Sequence, residues 1–254
     1  MVLLLDLGNT NLYVGVVKDH KIIKEFRNHT DFNRSSDEYM QILSHFLNAN
    51  QIDANEFEGA ILSSVIPSLS NTIKNAVESL IKKECKIVGK GIKTGLSIRI
   101  DNPSELGADL VCDSVGAINK YTSPIIIIDL GTANKILVID HNKNFIGCTI
   151  SVGIKLGIKS LANNAAQLMD VSLIAPEKII GKNSSDSLNS GAIYGTVSMI
   201  EGMVSKIEKE LGYQCVKILT GGNSFLIKDI LDDSFIHEPK LILEGLYYIY
   251  QKNQ

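Results

Sequence analysis

Short apolar runs cut by tight polar turns open this chain. Val2–Leu5, Leu12–Val17 and Lys21–Phe26 are separated only by brief polar stretches, which predicts three strands joined as a meander. Ser35-Ser36-Asp37-Glu38 has the pattern of a capping box, a hydroxyl for the orphan amides of a helix start and a glutamate that reaches back. Tyr39, Ile42, Leu43, Phe46 and Leu47 follow at helical spacing. Gly59–Val65 reads as a buried strand closed by Pro67, and Leu69, Ile73, Ala76, Val77, Leu80 and Ile81 mark a second amphipathic helix. Cys85–Val88 is strand again. Asn102-Pro103-Ser104-Glu105 predicts the start of a third helix, with a side-chain cap, a proline in the first turn and a glutamate three residues after the cap. Tyr121-Thr122-Ser123-Pro124 ends it.

The pattern then starts over. Ile125–Ile128 leads into Asp129-Leu130-Gly131-Thr132-Ala133-Asn134 as Val2–Leu5 leads into Asp6-Leu7-Gly8-Asn9-Thr10-Asn11. Each copy leaves through another apolar run, a polar turn and a third apolar stretch. A duplicated strand–Asp-x-Gly–strand unit predicts two similar α/β lobes, residues 1–121 and 122–254, facing a shared cleft. Past the second meander the chain turns rich in glycine, serine and asparagine from Gly147 to Gly195. A long helix over Thr196–Leu211 carries Val197, Ile200, Val204, Ile207 and Leu211 on one stripe; core packing is its expected use, a dimer contact the alternative. Val216–Thr220 is a further strand, stopped by Gly221-Gly222.

Composition narrows the function. With 254 residues, 44% of them hydrophobic, and a mean hydropathy of +0.11, the chain has the material of a globular protein with a sizeable core. A net charge of −3 argues against a nucleic-acid surface, because neutralising phosphates needs a basic excess. Lys82-Lys83 and the scattered lysines read as solvated faces. The four cysteines, Cys85, Cys112, Cys148 and Cys215, show no C-x-x-C spacing and sit mostly in apolar runs, so buried reduced thiols are expected. The apolar N-terminus lacks a basic leader and is interrupted by Asp6, so it reads as a strand and not as a signal peptide. No apolar run approaches the ~20 residues of a membrane span. A cytoplasmic protein is expected.

An aspartate ending a buried strand, followed by a glycine turn with hydroxyl and amide side chains, suits polyphosphate binding. The glycine lets backbone amides approach oxygen anions, and Asn9, Thr10 and Asn11 add neutral donors. The aspartate would act through a divalent cation, since it repels phosphate itself. A plain hairpin turn is the competing reading; two copies and a late Gly-Gly after a strand weigh against it. No G-x-x-x-x-G-K-[ST], G-x-S-x-G or H-E-x-x-H is present. The five histidines are scattered, and a surface position is expected for each. Asp109, between Ala108 and Leu110 with Asp113 one turn on, is the most conspicuous carboxylate. Placed on an apolar helix at a lobe junction, it would be partly buried and more basic than usual.

With these residues in hand, the chain resembles the type III pantothenate kinases, the actin-like phosphotransferase family that acts on pantothenate in coenzyme A synthesis. The resemblance runs in order through Asp6–Asn11, Ser63-Ser64-Val65-Ile66-Pro67, Asp101-Asn102-Pro103, Gly107-Ala108-Asp109, Asp129–Ala133, Gly181-Lys182-Asn183-Ser184 and Gly221-Gly222. It implies an α/β, two-lobed actin-like (ribonuclease H-like) fold with duplicated mixed-sheet halves around a cleft. It implies that Asp6, Gly8, Asn9, Thr10 and Asn11, with Leu12 and Tyr13 beyond them, hold the phosphates of ATP and Mg2+. Asp109 would take the proton from the attacking hydroxyl of pantothenate. Asp129 would help bind a monovalent cation, K+ or NH4+, Thr132 would contact ATP, and Gly221 and Gly222 would lie near the adenosine. Gly107, Ala108, Asp109 and Leu110 would line the pantothenate pocket together with Ile100, and Ser184 would come from the partner subunit of a homodimer. Two positions depart from the family pattern: Leu110 stands where arginine is usual and Ile100 where tyrosine is usual. A nucleotide-binding regulatory relative, or a kinase of another small hydroxyl compound, remain as alternatives.

Overall fold

The computed structural model describes residues 1–164 and 171–254; residues 165–170, within the polar segment Gly147–Gly195, lie outside the described residues. The chain divides into two compact units. The first comprises Met1–Leu96, Asp101–Asn119 and Leu241–Gln254, the second Ser97–Ile100 and Lys120–Lys240.

In the first unit β1 (Val2–Leu7), β2 (Asn11–Lys18) and β3 (Lys21–His29) form the antiparallel meander, and β4 (Gly59–Ser64) and β5 (Cys85–Ile87) extend it in parallel, giving the order β3-β2-β1-β4-β5. Two crossover helices, α1 (Ser36–Ala49) and α2 (Pro67–Ile81), lie on one face and bury their apolar stripes against it. The Ser35 box closes as its residues predict: Ser35 Oγ accepts from the Glu38 amide at 3.3 Å, and Glu38 Oε2 accepts from the Ser35 amide at 2.8 Å.

The second unit repeats this order. Here β7 (Ile125–Leu130), β8 (Ala133–Ile139) and β9 (Asn144–Val152) form the meander, with β10 (Val216–Thr220) and β11 (Phe235–His237) in parallel beside β7. A two-residue strand, β6 (Ser97–Ile98), joins the outer edge, so the sheet reads β11-β10-β7-β8-β9-β6. Between β9 and β10 run α4 (Ile154–Asn164) and α5 (Ser184–Leu211). Ile193, Val197, Ile200 and Val204 of α5 are buried in the core of this unit, which is the packing use expected of that stripe. The helix starts twelve residues before the predicted Thr196, because Asn183 caps it and accepts from the Asp186 amide at 2.9 Å.

The third helix also differs from expectation. Asn102 caps only a single 3-10 turn, Pro103–Glu105, and Leu106 is then extended (φ −70°, ψ 118°). The helix proper, α3 (Ala108–Lys120), starts after Gly107. The chain closes with α6 (Leu241–Gln251), which sequence order assigned to the second half. Its apolar face instead packs on β1, β2 and β4 of the first unit. At the crossing of α3 and α6 the backbones touch: a Cβ on Gly245 would stand 1.8 Å from the carbonyl oxygen of Cys112, and one on Gly116 would stand 2.6 Å from that of Leu241.

Cys85 and Cys112 are buried, as expected, and Cys215 partly so. Cys148, on β9, is exposed, against that expectation; Phe145 is the one residue of this strand that is buried.

Candidate active site

Asp6 lies one residue before the end of β1, half-buried, and its neighbour in the parallel register is Ser63 of β4. Ser63, fully buried, donates from Oγ to Asp6 Oδ1 at 2.9 Å. The turn that follows is closed by Gly8 N donating to Asn11 O at 3.0 Å. It is also tied down from outside. Thr30, just past β3, donates from its amide to Thr10 O at 2.9 Å and from Oγ1 to Gly8 O at 2.7 Å. With those carbonyls held, the side chains of Asn9, Thr10 and Asn11 face solvent. Leu12 and Tyr13, included by resemblance, belong to β2 and are buried. Their side chains serve the sheet: the Tyr13 hydroxyl donates to Glu25 at 2.6 Å and the Arg27 guanidinium lies 3.6 Å over the ring.

Asp109 occupies the first turn of α3, half-buried, with Oδ1 accepting from the Leu110 amide at 2.9 Å. Gly107 leaves room for it, since a Cβ there would meet Asp109 Oδ1 at 2.5 Å. The two carboxylates share surroundings. Burial, and then the negative charges of Asp6, Asp113 and Asp109, push the Cys112 thiol well above its ordinary value, with the Ser63 hydroxyl acting in the opposite direction. Asp6, Ser63, Cys112 and Asp109 all belong to the first unit, with Ser63 bonded to Asp6. Leu110 is buried, so its side chain belongs to the packing of α3.

In the second unit the copy is built similarly. The buried Asn223 pins its turn, the amide donating to Leu130 O at 2.8 Å and Nδ2 to Gly131 O at 2.9 Å. Gly153 lies beneath it, donating to Thr132 O at 3.1 Å, and leaves no space for a side chain. Thr132 itself is exposed. Gly221 has φ +91° and a Cβ would stand 2.4 Å from Asp129 Oδ1, so glycine is required there for conformation and for space. Gly222 is exposed beside it. Ser224 Oγ donates to Gly221 O at 2.7 Å and lies 2.9 Å from His237 Nε2.

The remaining expected residues are dispersed. Ile100 follows β6 in the second unit, half-buried, with Ala108 of α3 in the first. Ser184 is exposed at the first position of α5, beside an open depression of about 520 Å3 that Gly181, Lys182, Asn183, Ser187 and Leu188 also line.

Two metal expectations meet different surroundings. Mg2+ takes oxygen ligands and is commonly held by one or two carboxylates with substrate phosphates. The half-buried Asp6 above an exposed polar loop fits that habit. Among the described residues, no group of three or more His, Cys, Asp or Glu could hold a metal ion by itself. At Asp129, by contrast, Oδ2 already accepts from Lys135 Nζ at 2.7 Å, and a monovalent cation does not fit beside that ammonium.

Thr30, Ser63, Cys112, Lys135, Gly153 and Asn223 stand beside the expected residues without having been expected in the site, although Ser63 opens one of the motifs that carry the resemblance. Only Ser63 and Lys135 left a signal in the sequence: each faces a strand-end aspartate once the strands are put in register.

Two mixed sheets with one topology, each with an Asp-x-Gly turn at the end of a central strand, define an α/β protein of the actin-like ATPase fold. The chain superimposes on component A of (R)-2-hydroxyglutaryl-CoA dehydratase from Acidaminococcus fermentans, with a TM-score of 0.57, 13% identity and coverage of 100% of this chain and 99% of that one. It also superimposes on the ethanolamine utilization protein EutJ from Carboxydothermus hydrogenoformans, with a TM-score of 0.56, 12% identity and coverage of 97% and 89%. The sequence is more specific. A family model for type III pantothenate kinase matches residues 2–206. Type III pantothenate kinases from Acholeplasma laidlawii and Bacillus cytotoxicus are 38% and 35% identical over 253 residues, covering all of this chain and 99% and 97% of those proteins. The chain belongs to the type III pantothenate kinase family.

Proposed function

We propose that this chain transfers the γ-phosphoryl group of ATP to the hydroxyl of pantothenate, yielding 4'-phosphopantothenate and ADP as the first step of coenzyme A biosynthesis. The observation that carries the reading is that one unit holds both Asp6, bonded by Ser63 beside a solvent-facing polar loop, and Asp109 in the first turn of α3, in a chain of this family. Phosphoryl transfer asks little covalent chemistry of the protein; it asks for positioning, charge neutralisation and a base. Asn9, Thr10 and Asn11 would supply neutral donors to the phosphates. Asp6 would hold Mg2+, which when bound neutralises phosphate charge. Asp109 would accept the proton as the hydroxyl oxygen attacks phosphorus and ADP departs. Its own hydrogen bond from the Leu110 amide fixes the carboxylate without a cationic partner being needed at position 110. Gly107, Ala108 and Leu110 would line the acceptor pocket through their backbone, with Ile100. Thr132, Gly221 and Gly222 would contact the nucleotide.

The reading includes a cytoplasmic homodimer, with Ser184 reaching the partner's acceptor. Ile150 and Val152 on β9 and Leu156 and Leu161 on α4 are exposed apolar side chains of one segment, which supports a covered face there. Calorimetry tests the substrate assignment. Wild type binds ATP with Mg2+ and binds pantothenate; binding of ATP with no binding of pantothenate, in the presence or absence of nucleotide, overturns it.

A further inference from the structure

The carboxylate expected to hold a monovalent cation already has one, and it is part of the chain. Asp129 and Lys135 are register partners across the β7–β8 hairpin, a position from which opposite charges on adjacent strands meet directly. Lys135 Nζ donates to Asp129 Oδ2 at 2.7 Å, and the two side chains are only 17% and 11% exposed. The other oxygen, Oδ1, lies against Gly221, where even a methyl group would collide. One side of the carboxylate is therefore taken by an ammonium and the other by backbone. A K+ ion coordinated at this carboxylate would sit beside a fixed positive charge, and like charges at such range repel strongly outside bulk water.

The first copy shows that the hairpin does not impose this arrangement. The register partner of Asp6 is Tyr13, whose hydroxyl is spent on Glu25 and whose ring is covered by Arg27. The two turns thus differ in their register partners: the partner of one carboxylate is a tyrosine, that of the other a lysine bonded to it.

We propose that the Lys135 ammonium takes the place of a monovalent cation at Asp129, so that this enzyme needs neither K+ nor NH4+ there. The inference rests on the kinase reading for its consequence and not for its geometry. An alkylammonium offers the same N–H donors and the same unit charge as NH4+, at a permanently high local concentration because it is tethered. Lys135 acts as a positioning residue: it holds the Asp129 carboxylate beside Gly221 and neutralises it at the turn that carries Thr132.

The experiment compares wild type with Lys135→Ala and Lys135→Gln in KCl, NH4Cl and choline chloride at one ionic strength. Wild-type turnover of ATP with pantothenate is equal in the three salts. The variants lose activity in choline chloride and regain about tenfold or more with K+ or NH4+, as removal of a like charge at a cation site allows; a purely structural lysine would not be rescued by salt identity. Thallium-205 NMR reads the site independently of turnover: wild type shows no saturable Tl+ binding competed by K+, and the variants show it. K+ stimulation of wild type, or saturable Tl+ binding by wild type, overturns the proposal, as does failure of both cations to rescue folded variants. If neither variant folds, the wild-type measurements decide alone. If wild type lacks pantothenate-dependent turnover in every salt, the kinase reading fails, and the Tl+ titration still decides the cation proposal.

Discussion

Single residues in this chain are constrained by what leaves them no room. Gly221 combines φ +91° with an approach of 2.4 Å between a would-be Cβ and Asp129 Oδ1. Gly221→Ala must therefore strain the backbone and displace the carboxylate, at a cost on the order of 1–3 kcal/mol. Chemical denaturation is expected to show that loss together with weakened ATP binding; unchanged stability would contradict the close approach. The thiols make a second residue-scale case. Burial and three nearby carboxylates keep Cys112 protonated, and burial pushes the Cys85 thiol up to about 12, whereas Cys148 is exposed. Since the thiolate is the reactive form, iodoacetamide at neutral pH should label Cys148 first and reach Cys112 and Cys85 only on unfolding. Peptide mapping showing early labelling of Cys112 would contradict the packing of the site around it.

At the scale of elements, turns are held by residues remote in sequence. Thr30→Val keeps the shape but removes the hydroxyl that donates to Gly8 O. About 1 kcal/mol of stability should go with it, along with a raised KM for ATP and little change in kcat. A drop confined to kcat would show that the loop is not what Thr30 serves. Gly245→Ala would force α6 off Cys112 and, through α3, shift Asp109; a loss of roughly 1–3 kcal/mol is expected, read as a lower melting temperature with reduced turnover. These elements also show what was legible beforehand. The meanders, the Ser35 capping box and the buried strands were readable because period-2 and helical spacing and cap chemistry are local. The start of α3 was misread because Asn102-Pro103-Ser104-Glu105 carries the same cap signals whether one turn or four follow, and Gly107 decides that only through the space it gives Asp109. The placement of α6 was not readable at all. Its partners, Gly116 and Cys112 among them, lie more than a hundred residues away, and backbone contact leaves no periodic mark. The aspartates and glycines of the site stood out from repetition; Thr30 and Asn223, which hold the turns, are single polar residues with no pattern around them.

Across the whole molecule, one topology is used twice with different charges at equivalent turns. Asp6 stands over an exposed polar loop, while Asp129 is neutralised within its own hairpin by Lys135. The family match, running over residues 2–206 with relatives aligned along all of the chain, gives that asymmetry a reaction to serve. Ligand linkage follows: saturating ATP with Mg2+ should raise the melting temperature by roughly 5–10 °C at about a hundredfold over Kd, and Asp6→Asn should abolish most of the shift. The most direct measurement is a coupled assay of ADP release with pantothenate as the varied substrate, run on wild type and Asp109→Asn, with 4'-phosphopantothenate confirmed by mass. The account predicts pantothenate-dependent turnover in wild type and a loss of about 10²–10⁴-fold in the variant with ATP binding retained. No pantothenate-dependent ADP release above the variant would contradict it.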